Sequence, residues 1–410
     1  MKTYLVGGAV RDKLLGYPYH EKDWVVTGAT VKEMLDLGYQ QVGKDFPVFL
    51  HPKTKEEHAL ARLERKSGHG YSGFEVDSAP SVTLEQDLSR RDLTINAIAE
   101  DESGKFIDPF NGASDVSNKI LRHVSDAFIE DPVRVLRIAR FSARYHHLGF
   151  TIAPETLELM RQIVTDGELD HLVAERVWKE MERALAEQSP AVFFEVLRSV
   201  GALKVLMPEI DVLYGIPNPA KWHPEIDTGI HTMMVLTQSA KLSELPLVRF
   251  AALCHDLGKG VTPEEYWPKH HGHEGSGIKV INKLCERMKV PREYRELACL
   301  GSEFHLHAHK VQELKSKTLL NMLERFDIYR RPDRFEYYLD VCEADARGRT
   351  GYEDKPYPQR EFLQKAVERV LAITHKSLND PSIEGRAIAD ALRKARIHAL
   401  AKLKSEEFTN

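Results

Sequence analysis

The stretch Leu5-Val6-Gly7-Gly8-Ala9-Val10-Arg11-Asp12 decides how the first hundred residues fold. An apolar run, two glycines and a helix start, in that order, read as a strand turning straight into a helix. Adjacent glycines let the backbone approach a ligand closely, and the helix start offers unpaired N–H groups to an anion. Arg11, one turn in, can point at the same anion. Taken alone, Gly-Gly before a helix is often only a tight turn, so its neighbours have to decide. Outward from it, short apolar runs at 3–6, 24–27, 47–50, 58–61 and 105–107 sit between Gly, Pro and Asp punctuation and predict strands among helices.

From about residue 118 the pattern changes to helical periodicity. Helices are expected at 129–147, 154–165, 172–188, 190–205, 228–243, 246–257, 273–288, 291–304, 311–326, 331–347, 359–373 and 382–404. Residues 215–222 (GIPNPAKW) look like a linker between two helical blocks. With 410 residues, two to four domains are expected. The chain lacks an 18-residue apolar run and an apolar leader, so neither a membrane span nor a signal peptide is expected. Cys254, Cys285, Cys299 and Cys342 form no CxxC pair and read as free thiols of a reducing cytoplasm. A net charge of −5 does not advertise a nucleic-acid binder, so local clusters of arginine carry that question.

Three further pieces bear chemistry. In Glu21-Lys22-Asp23, strand geometry places the two carboxylates on one face, about 7 Å apart. Such a pair can hold Mg²⁺ together with substrate phosphates, although an arbitrary ExD is more often a solvated charge pair. Ser89-Arg90-Arg91-Asp92-Leu93-Thr94-Ile95-Asn96-Ala97 sets two arginines before an expected amphipathic helix. Its plain reading is helix-end charge balanced by Asp92; its functional reading puts Arg91 on a triphosphate. In Glu130-Asp131-Pro132-Val133-Arg134, Asp-Pro starts a helix on which Arg134, Arg137, Arg140 and Arg144 fall within an arc of roughly 120°. Val135, Ile138 and Ala139 take the other side. Four arginines without interleaved acids point to an anionic partner.

Taken together these pieces resemble the class II tRNA nucleotidyltransferases and bacterial poly(A) polymerases, whose motifs run GGxVRD, DxD, RRDxTINA, EDxxRxxR, ERxxxE. Here they stand at residues 7–12, 21–23, 90–97, 130–137 and 175–180 (ERVWKE). The resemblance implies that Gly8 and Arg11 contact the incoming nucleotide and that Glu21 and Asp23 bind Mg²⁺. It implies that Arg91, Arg137 and Arg140 hold triphosphate or ribose, and that Asp131 and Arg134 read the base. A carboxylate accepting from an exocyclic amine and a guanidinium donating to the ring suit CTP and ATP, while UTP and GTP present the wrong pattern. The family has Asp where this chain has Glu21, one methylene longer, so metal geometry is expected to differ.

Many of the 19 histidines crowd into residues 223–309 around Cys254-His255-Asp256-Leu257-Gly258-Lys259. With His231 before and Asp345 after, the order H…HD…D resembles the HD metallophosphohydrolases, and the later chain resembles bacterial CCA-adding proteins carrying an HD domain. The resemblance implies Ni²⁺ or another divalent ion at His231, His255, Asp256 and Asp345. It also implies phosphatase, 2′-nucleotidase and 2′,3′-cyclic phosphodiesterase activity for tRNA end repair, with His255 and Asp256 catalytic. His270, His271, His273 and His305 are additional candidate ligands or phosphate contacts. A second His-Asp pair is expected near 305, but the chain has His305-Leu306, which puts a second metal position in question.

The expected architecture is α+β: a nucleotidyltransferase head with a mixed sheet (1–115), then all-α neck (116–170), body (171–225), HD domain (228–330) and tail (331–410). The last helix, with Arg386, Arg393, Lys394, Arg396, Lys402 and Lys404, reads as a solvated amphipathic face. The expected function is addition of C, C and A to the tRNA 3′ end from CTP and ATP, by a cytoplasmic monomer or homodimer without membrane contact. A poly(A) polymerase is the rival enzyme. An HD phosphohydrolase with an RNA-binding head and a non-enzymatic tRNA-binding module are the rivals of other classes.

Overall fold

A computed structural model describes residues 1–19, 21–42, 48–66, 74–378 and 386–408. Pro47 and residues 382–385 of the expected elements lie outside them. The chain forms two compact units, Met1–Leu206 and Met207–Asn410.

The first unit is built on a mixed seven-stranded sheet. Its strands are β1 (Lys2–Val6), β2 (Asp23–Thr27), β3 (Gln40–Gln41), β4 (Val48–Leu50), β5 (Glu57–Leu60), β8 (Ala99–Glu100) and β9 (Phe106–Ile107). β6 (Leu63–Lys66) and β7 (Phe74–Asp77) form a separate hairpin. The sheet order is β3-β4-β5-β2-β1-β8-β9, with only β2 and β5 parallel. Val6, Val25, Ala97 and Ala99 form one core cluster, and Val26, Met34, Phe49 and Leu60 a second. The β1–β2 register pairs Val6 with Asp23, so the first glycine follows directly beside that carboxylate. Gly7 adopts φ 68°, a left-handed value that glycine takes without a steric penalty, and the helix Gly8–Leu15 starts at once.

Three expectations change here. β2 begins at Asp23, so Glu21 precedes the strand rather than sharing its face by pleat alternation. The RRD segment forms one 3₁₀ turn, Thr94–Asn96, instead of a longer helix. Its backbone is drawn off elsewhere: Asp92 accepts from the Leu93 N–H at 2.8 Å, and the Thr94 N–H reaches Arg122 O at 2.9 Å. The expected 190–205 helix is two, Pro190–Ser199 and Ala202–Leu206, broken at Gly201 with φ +79°. The helix Val133–Tyr145 buries Val135, Ile138 and Ala139 completely.

The second unit is helical, with Thr228–Leu242, Pro246–Cys254, His273–Arg287, Arg292–His309 and Pro332–Arg347 around a buried polar centre. Helix Pro246–Cys254 stops before His255-Asp256, which sit in a turn leading to the 3₁₀ segment Leu257–Val261. On a continuing helix adjacent side chains would diverge by about 100°; the turn lets both face one cluster. The last helix, Arg386–Phe408, is not merely a solvated face. Arg393 pairs with Glu324, Arg396 donates to Ile373 O and stacks 4.6 Å from the Tyr329 ring, and Lys404 caps Gln312 O.

Candidate active sites

In the first unit two arginines flank the diglycine turn. A Cβ on Gly7 would lie 3.1 Å from Arg91 Nη1, and one on Gly8 would lie 3.5 Å from Arg11 Nη2. The glycines therefore leave room for guanidinium groups beside the free N–H groups of the helix start. Asp23 and Glu21 are exposed at this edge. Loss of water around the Asp23 carboxyl raises its pKa; Arg91 draws it back down and Glu21 pushes it up. A carboxyl crowded by a second carboxyl in this way is suited to a cation.

Arg11 itself is buried. It donates to Asp12 at 2.9 Å and Asn96 at 2.6 Å, and its guanidinium sits 5.3 Å from the Phe141 ring. Each arginine of the Val133–Tyr145 helix meets an acceptor from elsewhere in the fold. Arg134 donates to the carbonyls of Ala127 and Arg90. Arg137 forks onto Asp92 with Nε and Nη2 both at 2.7 Å. Arg140 reaches Glu180 at 2.7 Å and Glu187 at 3.6 Å, and Arg144 reaches Asp12 at 3.5 Å. The absence of acids along the helix is thus made good by the RRD turn and the Ala174–Ala186 helix. Asp131 is bound by Arg176. Sequence reasoning gave no role to Asn96, Arg176 or Glu180 and only helix-end charge balance to Asp92, although all four stand inside quoted motifs.

The second unit holds the histidine centre. His231, His255, Asp256, His305 and Asp345 are all at most 3% exposed. His231 Nε2 lies 3.2 Å from Asp345, His255 Nε2 3.2 Å from Asp256, and His273 Nε2 3.2 Å from Asp256. Four imidazoles face backbone carbonyls through Nδ1: His231 to Gly348 at 3.0 Å, His255 to Ala252 at 2.7 Å, His273 to His270 at 2.7 Å, His305 to Ser302 at 3.0 Å. A carbonyl only accepts, so Nδ1 carries a proton, and in the neutral ring Nε2 presents a lone pair. Those lone pairs converge on two carboxylates. His231 Nε2, His255 Nε2 and Asp256 Oδ1 are buried and have no hydrogen-bond partner among the described residues. Neutral imidazoles and carboxylates that converge in this way fit a divalent cation.

The atoms at the centre fall into two groups with spacings under 4.8 Å, His231, His255 and Asp345, and Asp256, His273 and His305, and a third such group, His223, Glu225 and His231, adjoins them. The second group draws no member from position 306. His271 is exposed and outside both. Burial opposes charge on Asp256, yet Lys259 at 2.6 Å, and then His255, hold its carboxyl well below the usual range. Burial pushes the His305 imidazole down to about 3, which keeps it neutral and able to ligate. Asp345 is also held by His309 at 2.7 Å. Glu225 accepts from His223 at 2.9 Å and lies 3.0 Å from His231 Nδ1, orienting a ligand from behind. Gly258 brings the 3₁₀ segment against the next helix: a Cβ there would stand 1.9 Å from His273 O.

Residues 3–122 match the Poly A polymerase head domain family, 149–213 the family described as the probable RNA and SrmB-binding site of polymerase A, and 228–346 the HD domain family. These matches define a nucleotidyltransferase-type head joined to an HD domain. The Multifunctional CCA protein of Thioalkalivibrio sulfidiphilus is 60% identical, over 99% of both chains, and that of Teredinibacter turnerae 57% identical over the same shares. The chain belongs to the multifunctional CCA protein family. Among solved structures, a CCA-adding enzyme in apo form II aligns with TM-score 0.65 at 20% identity, over 100% of this chain and 91% of that one. The Bacillus stearothermophilus CCA-adding enzyme in complex with CTP aligns with TM-score 0.64 at 24% identity, over 99% and 93%. These two share the fold. No helix among the described residues is long and apolar enough to cross a membrane.

Proposed function

We propose that the chain adds C, C and A to the tRNA 3′ end from CTP and ATP without a nucleic-acid template, and that its HD centre hydrolyses phosphate esters at damaged tRNA ends. The observation that carries the first part is the diglycine turn between Arg11 and Arg91, with Asp23 alongside. In this reading Gly7 and Gly8 admit the triphosphate to the helix N–H groups, and Arg91, with Arg11 and Arg140 behind, balances its charge. The tRNA 3′-hydroxyl attacks the α-phosphate in line and pyrophosphate leaves toward these arginines. Most of the rate then comes from positioning and charge stabilisation. Glu21 and Asp23 would hold Mg²⁺, which supplies charge neutralisation and hydroxyl activation when bound. Asp131 and Arg134 would read the amine and its neighbouring acceptor, and Arg137 would face the triphosphate or ribose.

At the HD centre His231, His255 and Asp345 would hold one divalent ion and Asp256, His273 and His305 a second, with Ni²⁺ the expected metal. Such an ion, when bound, lowers the pKa of its water. The work would take place in the cytoplasm on soluble tRNA. The test is purified protein incubated with tRNA lacking its 3′ end and each nucleotide separately. CTP should extend the bare end by two residues and ATP should then close it. Long runs from ATP alone would overturn the reading in favour of poly(A) synthesis.

A further inference from the structure

We propose that Asn218 and Lys259 form a phosphate-gripping subsite beside the HD centre, binding a non-bridging oxygen of a phosphate monoester or cyclic diester. The proposal rests on the phosphohydrolase reading above and adds to it the residues that would hold the substrate. Asn218 comes from the segment that looked like a linker. Its backbone N–H is fixed on Ile226 O at 2.6 Å, and the residue is 2% exposed. Its Oδ1 accepts from Lys259 Nζ at 2.9 Å, and the same ammonium contacts Asp256 Oδ2 at 2.6 Å. That contact settles the amide's orientation, since the flipped group would set donor against donor.

The amide nitrogen therefore presents two N–H groups one side chain away from a carboxylate of the centre. Asn218 Nδ2 is buried and has no hydrogen-bond partner among the described residues. The ammonium and the unspent amide are both donors, to which an anionic oxygen can bond. His270 borders it. Its Nε2 meets the carbonyl of Pro217 at 2.9 Å, and its Nδ1 is likewise buried without a partner. By the same carbonyl argument Nδ1 is an acceptor, suited to a hydroxyl carried on the same ligand.

The experiment uses the full chain loaded with Ni²⁺ and compares wild type with Asn218→Asp, which keeps the acceptor for Lys259 and removes the donors. Orthophosphate binding is read by calorimetry, 2′-AMP hydrolysis by kcat and KM, and Ni²⁺ affinity separately. We expect the orthophosphate Kd and the 2′-AMP KM to rise at least about tenfold, roughly 1.4 kcal/mol, with Ni²⁺ affinity changed much less and nucleotide addition intact. Unchanged phosphate affinity and KM would mean that Nδ2 serves only a structural water, and the proposal fails. If Asn218→Asp does not fold, the side-chain amide ¹⁵N resonance of Asn218 in wild type decides: it must shift on orthophosphate addition, and a resonance that stays put overturns the idea. Failure of the underlying reading looks different, because wild type itself would then neither bind Ni²⁺ nor hydrolyse 2′-AMP.

Discussion

Arg176 grips Asp131 with both terminal nitrogens, Nη1 at 3.2 Å and Nη2 at 2.9 Å. A forked guanidinium pair is directional and occupies both carboxylate oxygens. If Asp131 accepts from the amine of an incoming base, at least one of those contacts has to be exchanged. Arg176 then sets how strongly Asp131 competes for a base. Arg176→Ala should lower discrimination of CTP against UTP by about tenfold or more, with a smaller change in triphosphate affinity. Asp131→Ala or Arg134→Ala should do the same. Single-nucleotide incorporation kinetics on tRNA lacking its 3′ end check this, and unchanged discrimination in all three variants would sink the base-reading role.

The two sites lie in different compact units and should be separable. Asp23→Ala should reduce nucleotide addition by at least about 10³-fold while leaving hydrolysis of 2′-phosphates intact. Asp256→Ala should do the reverse. Either substitution removing both activities from a folded protein would contradict the two-site reading.

Asp92 ties the RRD turn to the arginine helix. Burial works against its charge, but Arg137 and the Asn96 amide hold its carboxyl well below the usual carboxylate range. A carboxyl depressed on folding contributes stability above its unfolded pKa of about 3.9 and loses it as pH falls through the folded value. Asp92→Asn should therefore cost about 2–3 kcal/mol at pH 7, allowing for the half-open Arg137. The gap between wild type and variant in denaturant unfolding should begin to shrink below about pH 4 and close only as pH reaches the depressed folded value. A gap that persists there would assign the loss to packing instead.

What local sequence could reveal depended on where each partner lies. Helix Pro154–Thr165 starts and ends where its apolar stripe and first-turn proline put it. His231, His255, Asp256 and Asp345 carry their own signal, an unusual H…HD…D order. The arginine helix was harder, because its counter-charges are not its neighbours: Arg137 is paired 45 positions back and Arg140 is paired 40 positions on. Glu225 and Asn218 carry no local mark at all. One reads as a loop acid and the other as a turn residue, until folding sets them beside His231 and Lys259.

Glu225 bears on metal affinity through that placement. Two imidazoles, His223 and His231, share one of its oxygens, and burial lowers His223 to about 4 although the bond to Glu225 works to raise it. A carboxylate behind a ligating imidazole fixes the ring and raises its basicity. Glu225→Gln should weaken Ni²⁺ binding by about 10–100-fold without unfolding the unit. Calorimetric metal titration of the full chain checks it, and an unchanged affinity would leave Gly348 O as the sole orienting group of His231.

Gly258 supplies the last test, because its requirement is spatial and not conformational. A single methyl there would have to occupy a point 1.9 Å from His273 O and 2.7 Å from Gly277 N, both backbone atoms. Backbone cannot rotate away as a flexible side chain can, so the 3₁₀ segment and the His273–Arg287 helix must separate. His273 would then leave Asp256, and the second ligand group would open. Gly258→Ala should destabilise the second unit by at least about 1–3 kcal/mol, as overpacking does. It should also lower the number of Ni²⁺ ions bound, while nucleotide addition by the first unit persists. Scanning calorimetry with metal stoichiometry reads both effects. A variant that melts like wild type and binds as many ions would show that the close approach at Gly258 is not what assembles the centre.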